Sequence, residues 1–382
     1  MILIPKFISL DTSTISKLAK SYFGDDRKAR QNAISVRDGM IRANWFLTLT
    51  SDHLWELAQH SNENVVISRF KFLRTFDNLA WIWNFEKTGI GCFLDIDCFE
   101  MNAFLEKGAN TKHEIVDMVR EQLLVVGSGT DLFRDEDYDL WLRLFDECKP
   151  GLARSQSVAS ILRTEPVKGI REKKLREFLN AKYEDLGDLP RQAAKLANVM
   201  AGQIKEFGDK RVKGADILAK NFYQQTLEHV GDVQAAARSG ASDTAFIEAI
   251  AKEFGVPKHL LDLDMTVGEL GDWGYFSESL RTYSRKLRCE LTLDFVKPQD
   301  LIGWSLRLAL GDYQNKANRV SGSDFGDRQL ACLLPYLDSC EVDKRTMEYL
   351  RQIERKQDPI ADFLNHRFKC SDPQELLKLL PS

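Results

Sequence analysis

Short apolar runs that end in polar residues and open onto helical spacing recur along the first 84 residues. The run ILIPKFISL breaks at Asp11-Thr12-Ser13-Thr14, after which Ile15, Leu18, Ala19 and Tyr22 recur at helical spacing. That pattern predicts a buried strand, an N-cap and a helix. A second helix is expected over 27–41 and a second strand over 45–50, with Ser51-Asp52 as N-cap to the helical HLWELAQH. A helix over 63–73 and an apolar run over 79–83 complete a strand-helix alternation, as in a parallel sheet covered on both faces.

Long amphipathic stretches dominate residues 85–297. Leu189, Ala193, Leu196, Met200, Ile204 and Phe207 step by three or four and so share one stripe, and Phe246, Ile250 and Phe254 repeat the spacing after Asp243. This middle segment reads as a helical bundle. Beyond Pro298 the alternation returns, with helices expected over 303–310, 324–334 and 344–356 and a short strand over 339–342. Each terminal part is small for a core of its own, so the expected fold is one α/β domain, 1–84 with 298–382, split by a mainly α-helical insertion at 85–297.

Composition narrows the class. Of 382 residues 43% are hydrophobic and 29% charged, as in a packed soluble chain, and no apolar run approaches the ~20 residues of a membrane span. The start, 1–10, lacks a basic segment followed by a cleavable apolar one, so the expected location is cytoplasmic, with no membrane partner. Seven cysteines without a CxxC pair and six histidines without HExxH leave zinc and a disulfide framework without support. No GxxxxGK[ST] or GxGxxG occurs, which argues against an NTPase or dinucleotide enzyme.

Charge is uneven. Residues 1–84 carry 11 Lys+Arg against 8 Asp+Glu and 298–382 carry 12 against 13, leaving 30 against 36 for the middle. A polyanion would therefore have to use a local basic groove on the terminal parts.

Ligands of an open parallel sheet collect beyond the carboxyl ends of its strands, so acids placed just after strands point at one crevice. Asp11 and Asp343 have that placement, Glu56 lies one turn after Asp52, and Asp324 and Asp327 share a helix face. Asp11, Asp324 and Asp343 each also suit a helix N-cap, and Glu56 alone would suit a helix surface. Together, four or five ionised carboxylates in one crevice would repel unless divalent cations filled it. All-oxygen ligation favours Mg2+ or Mn2+, the ions of phosphodiester hydrolysis. Lys344, Arg345 and Arg351 follow the last acid on one helix and could hold phosphates; the basic run 168–176 could too, though a solvated helix face is its favoured reading. Trp45 and Trp55 could stack bases or pack in the core.

In their order, ISLDTS, SDHLWELAQH and GSDFGDRQLACLLPYLDSCEVDKRT resemble the PIN-like nuclease superfamily. The resemblance implies a small parallel-sheet domain that cleaves RNA, less often DNA, with Mg2+ or Mn2+ held by three or four acids. It would make Asp11, Glu56, Asp327 and Asp343 the catalytic acids, with Asp324 and Asp338 as additional ligands. Members often serve as toxins, RNA-processing enzymes or defence effectors. The competing expectation is a non-catalytic scaffold whose helical insertion binds a protein partner.

Overall fold

The apolar runs become strands. In the computed structural model, residues 4–60, 62–105, 109, 111–134, 140, 143, 146, 157–158, 160–161, 164–180, 189–208, 212–229, 243–316 and 323–380 are described. Side chains at 165–166, 168, 178–180, 189–192, 225–229, 243, 315–316 and 323–325 fall outside that description.

The chain begins β1 (Lys6–Ser9), α1 (Thr12–Phe23), α2 (Arg27–Arg42), β2 (Trp45–Leu49), α3 (Ser51–Ala58), α4 (Glu63–Arg74) and β3 (Leu79–Ile82). It continues α5 (Phe93–Leu105), α6 (Lys112–Leu123), β4 (Leu124–Gly127) and α7 (Gly129–Leu132). After a helical segment it returns as α14 (Ile302–Lys316), α15 (Ser323–Leu330), β5 (Ser339–Glu341), α16 (Lys344–Arg355), β6 (His366–Phe368) and α17 (Leu376–Leu379). The intervening helices are α8 (Glu165–Arg171), α9 (Leu175–Asn180), α10 (Leu189–Phe207), α11 (Ala215–His229), α12 (Asp243–Phe254) and α13 (Val267–Leu287).

Six strands form one sheet in the order β4-β3-β2-β1-β5-β6. β1 pairs in parallel with β2 and with β5, in the register Ser9↔Cys340, so the two ends of the chain share the centre of the sheet as expected. The fold is α/β, with one departure from an all-parallel sheet: edge strand β4 runs antiparallel to β3. The signal for β4 was the run Leu123-Leu124-Val125-Val126-Gly127, which continues directly from an amphipathic helix and merges with its apolar stripe. Alternate strand residues enter two apolar clusters, Ile8, Leu47 and Leu79 on one side, Ile82, Cys340 and Val342 on the other. Helices cover both faces, which is what the near-continuous apolar strands require.

The chain divides into two compact units, Met1–Leu152 with Gln299–Tyr313 and Ser323–Ser382, and Ala153–Pro298 with Gln314–Gly322. The sheet unit keeps residues 85–152 and resumes at 299, where the sequence pattern placed an insertion over 85–297. The physical reason is that α5 and α6 supply Ile96, Phe99, Ile115, Val116 and Val119 to the second apolar cluster and so belong to the sheet. In the other unit Met200 and Ile204 of α10 are buried as their spacing predicted, together with Ala197 and Ala201, which the predicted stripe did not include. Leu196 and Phe207, placed on the same stripe, are instead exposed. Among the described residues no helix is long and apolar enough to cross a membrane.

Candidate active site

Because β1, β2 and β5 are parallel neighbours, their carboxyl ends lie side by side and deliver the chain into α1, α3 and α16. Asp11 follows β1 and caps α1, its Oδ1 accepting from the Ser13 N–H at 2.6 Å. Asp343 follows β5 and caps α16, its Oδ1 accepting from the Thr346 N–H at 2.6 Å. Both acids are therefore caps, and both also stand at the crevice.

Glu56 reaches this crevice from α3. Its Oε2 accepts from Thr12 Oγ1 at 2.8 Å, which ties the end of α3 to the first residue of α1. Burial pushes the Glu56 carboxyl up to about 7, and the charges of Asp11 and Asp52 push in the same direction against the Thr12 hydrogen bond. The helix that carries Glu56 is capped differently from the expectation. Thr50, not Ser51 or Asp52, is the N-cap, and His53 completes a capping box by accepting from the Thr50 N–H at 3.1 Å. His53 is fully buried, lies 3.1 Å from Ser9 Oγ through Nε2, and is held down to about 4 by burial. It is thus a neutral strut between β1 and α3. Asp52 instead accepts from the Phe93 N–H at 3.0 Å, and burial raises it to about 6.

One acid at the site went unread in the sequence. Glu341, the last residue of β5, accepts from the Asp11 N–H at 3.1 Å through Oε2 and from Thr14 Oγ1 at 2.7 Å through Oε1. Burial raises it to about 7, with Asp11 adding to the shift. Its signal was the spacing Glu341-Val342-Asp343: residues two apart on a strand share a side, so Glu341 precedes the capping acid on the same edge of the crevice.

The remaining predicted acids divide. Asp327 sits in α15 directly after Gly326, where a Cβ would collide with Glu56 Oε1, so α15 and α3 touch at this point. The side chain of Asp324 lies outside the described residues. Asp338 does not join the group. It precedes β5, so in a parallel sheet it stands at the opposite end, where Oδ2 accepts from the Phe7 N–H at 2.8 Å and Oδ1 meets Arg120 at 3.3 Å.

Basic residues flank the crevice on one side. A cavity of about 810 Å3 lies between α16 and β6, lined by Lys344, Arg351, Arg367 and Lys369 together with Glu348 and Glu354. Arg345 is not among its lining residues; its Nε is 3.6 Å from Asp343 Oδ2. In the basic run 168–176, Arg171 meets Asp272 at 3.4 Å, while Lys174 and Arg176 both pair with Asp264, which is the solvated-face reading. Trp45 is buried in the core, and Trp55 is exposed.

The carboxylates Asp11, Glu56 and Glu341 have the hard-oxygen chemistry that Mg2+ or Mn2+ requires, and their mutual repulsion is the kind a cation relieves. Among the described residues, however, no group of three or more His, Cys, Asp or Glu side chains is arranged to hold a metal ion. Each of these carboxylates accepts from a nearby N–H or hydroxyl. The caps of Asp11 and Asp343 and the Thr12 contact of Glu56 use one oxygen of each. No family model, curated protein or solved structure matches the chain.

Proposed function

We propose that this protein is a PIN-like, divalent-metal-dependent nuclease that hydrolyses phosphodiester bonds of single-stranded RNA endonucleolytically. The observation that carries the reading is the meeting of Asp11, Glu56 and Glu341 at the carboxyl ends of three adjacent parallel strands, with both glutamates raised to about 7. Asp11, Glu56, Asp327 and Asp343 would hold Mg2+ or Mn2+, with Glu341 beside them. Such an ion, when bound, would activate water and neutralise the leaving oxygen. Thr12 and Thr14 fix the two glutamates by hydrogen bonds, and the Gly326 backbone leaves room for Glu56 beneath α15. Lys344 and Arg351, with Lys369, would hold the phosphates of a strand leaving the crevice along α16. A rigid duplex carries denser charge and fits a narrow acidic crevice less well, which favours RNA single strands over duplex DNA.

The test is incubation of the purified chain with labelled single-stranded RNA and DNA, with Mn2+ or EDTA, over a range of salt. Metal-dependent internal cleavage of RNA is expected. Cleavage that persists in EDTA, or none at any salt, contradicts the proposal. The second outcome would favour a non-catalytic scaffold. That alternative draws on the exposed apolar side chains Leu196, Val199 and Phe207 of α10 and Ile217 of α11.

A further inference from the structure

A second cavity, of about 470 Å3, lies between α1 and α4, within the size range of small-molecule sites. Lys17 and Lys20 of α1 and Arg69 of α4 line it, and none of its described lining residues is acidic. Three cations around one concave space repel one another, and a bound anion relieves that repulsion. Arg69 is fixed in place, with Nη1 donating to the Leu57 carbonyl at 2.6 Å. Its Nε is buried without a hydrogen-bond partner among the described residues, and burial lowers its pKa. Ser16 adds a hydroxyl that can donate to an anion, whereas the Ser68 hydroxyl donates to the Asn64 carbonyl at 2.7 Å.

The rest of the wall is apolar. Val65 and Ala19 line the interior, and Phe23 stands at the edge with 45% of its surface exposed. Thr12, Ser16, Lys20 and Phe23 recur every three or four residues and so share one stripe of α1. The stripe starts at Thr12, the residue that donates to Glu56, and Ser16 and Lys20, about one and two turns further along α1, line the cavity. Phosphate at one end of a ligand and a flat apolar ring at the other would satisfy both parts of the wall.

We infer that the cavity between α1 and α4 binds a phosphorylated nucleoside, its phosphate held by Lys17, Lys20 and Arg69 and its base set against Phe23 and Val65. The same chemistry is offered by a free mononucleotide and by the 5′-phosphorylated end of an RNA strand. Binding here needs neither metal nor the acids, so it is independent of hydrolysis.

Isothermal titration calorimetry of the full chain in EDTA, with adenosine 5′-monophosphate, adenosine, and a 5′-phosphorylated five-nucleotide RNA, tests it. Saturable binding of the monophosphate is expected, with adenosine at least about tenfold weaker because the charge-assisted bonds are lost. Lys20→Ala should weaken the monophosphate about fivefold to tenfold, and Phe23→Ala should weaken the monophosphate and adenosine alike. Both side chains are exposed, so these variants keep the fold, which an unchanged Tm verifies. Tighter binding of the RNA than of the monophosphate would identify a strand end as the occupant, and the reverse a free nucleotide. Equal binding of monophosphate and adenosine, no saturable binding of either phosphorylated probe, or an unchanged Kd in Lys20→Ala would overturn the inference.

Discussion

Glu56 and Glu341 hold protons into the neutral range because burial and the neighbouring Asp11 charge both disfavour their ionised forms. Both stand near 7 in the folded chain against an ordinary 4.5, so between those values the folded state binds more protons than the unfolded one. Stability from these groups is thus complete below about pH 4.5 and is lost as the pH rises through 7. Asp52 contributes with the same sign over a narrower window, up to about 6. Tm should therefore be higher at pH 5 than at pH 8. Glu56→Gln and Glu341→Gln should each raise stability at pH 8 by on the order of 2 kcal/mol and flatten the profile, as thermal melts across that range will read. In the cleavage assay the same two variants should lose at least about tenfold in kcat.

Asp338 provides the contrasting case. Asp338→Ala should cost about 1–2 kcal/mol through the lost Phe7 hydrogen bond, leaving cleavage within about twofold of wild type. Urea melts and initial rates separate the two effects. The sequence placed Asp11, Glu56 and Asp343 at the crevice because an apolar run followed by an acid marks a strand end. It could not separate Asp338 from them, since the three-residue β5 puts both its ends within five residues of Asp343. Glu341 was hidden for the same reason: in so short a strand the last residue and the cap read as one acidic cluster.

At the scale of elements, β5, α16 and β6 make a basic wall that runs away from the acids. Arg367 is already paired with Glu354, and Arg355 and Arg351 lie 3.7 and 4.0 Å from Glu348, while Lys344 opens α16 directly after the capping Asp343. Replacing Lys344, Arg351 and Lys369 together with Ala should raise KM for RNA about tenfold with little change in kcat. It should also flatten the dependence of log KM on log salt, by about 0.7 for each phosphate that the protein no longer neutralises. A salt series on the triple variant checks both. β1, β2, β3 and β5 were legible as apolar runs ended by polar residues. β6, His366–Phe368, was not, because a three-residue edge strand with His and Arg in it carries too little apolar pattern to stand out from a loop.

For the whole α/β unit, the joint between its separate chain segments is a buried polar cluster. Arg307 of α14 donates to Asp97 of α5 at 2.7 Å, and Tyr336 donates to Glu100 at 2.6 Å. Glu100 also accepts from the N–H groups of Ile302 and Gly303, at 2.7 and 2.9 Å, which anchors the start of α14. Burial and the nearby Asp97 push the Glu100 carboxyl up, while Arg307 opposes the shift. Arg307→Met would leave Asp97 buried beside Glu100 without its cation and should cost about 3–5 kcal/mol in urea denaturation. This joint also explains the displaced boundary. Residues 85–152 change from short strands to long amphipathic helices, a pattern that reads as a new domain, yet those helices cover a face of the sheet and bind the returning segment.

On the proposed nuclease reading, the acids at the ends of β1, β2 and β5 would bind a divalent cation. Crystals soaked in Mn2+ and measured at the manganese absorption edge test it most directly. Anomalous density is expected among Asp11, Glu56, Asp327 and Asp343, and is expected to be lost in Asp11→Asn. Density elsewhere, or none at saturating Mn2+, would contradict it.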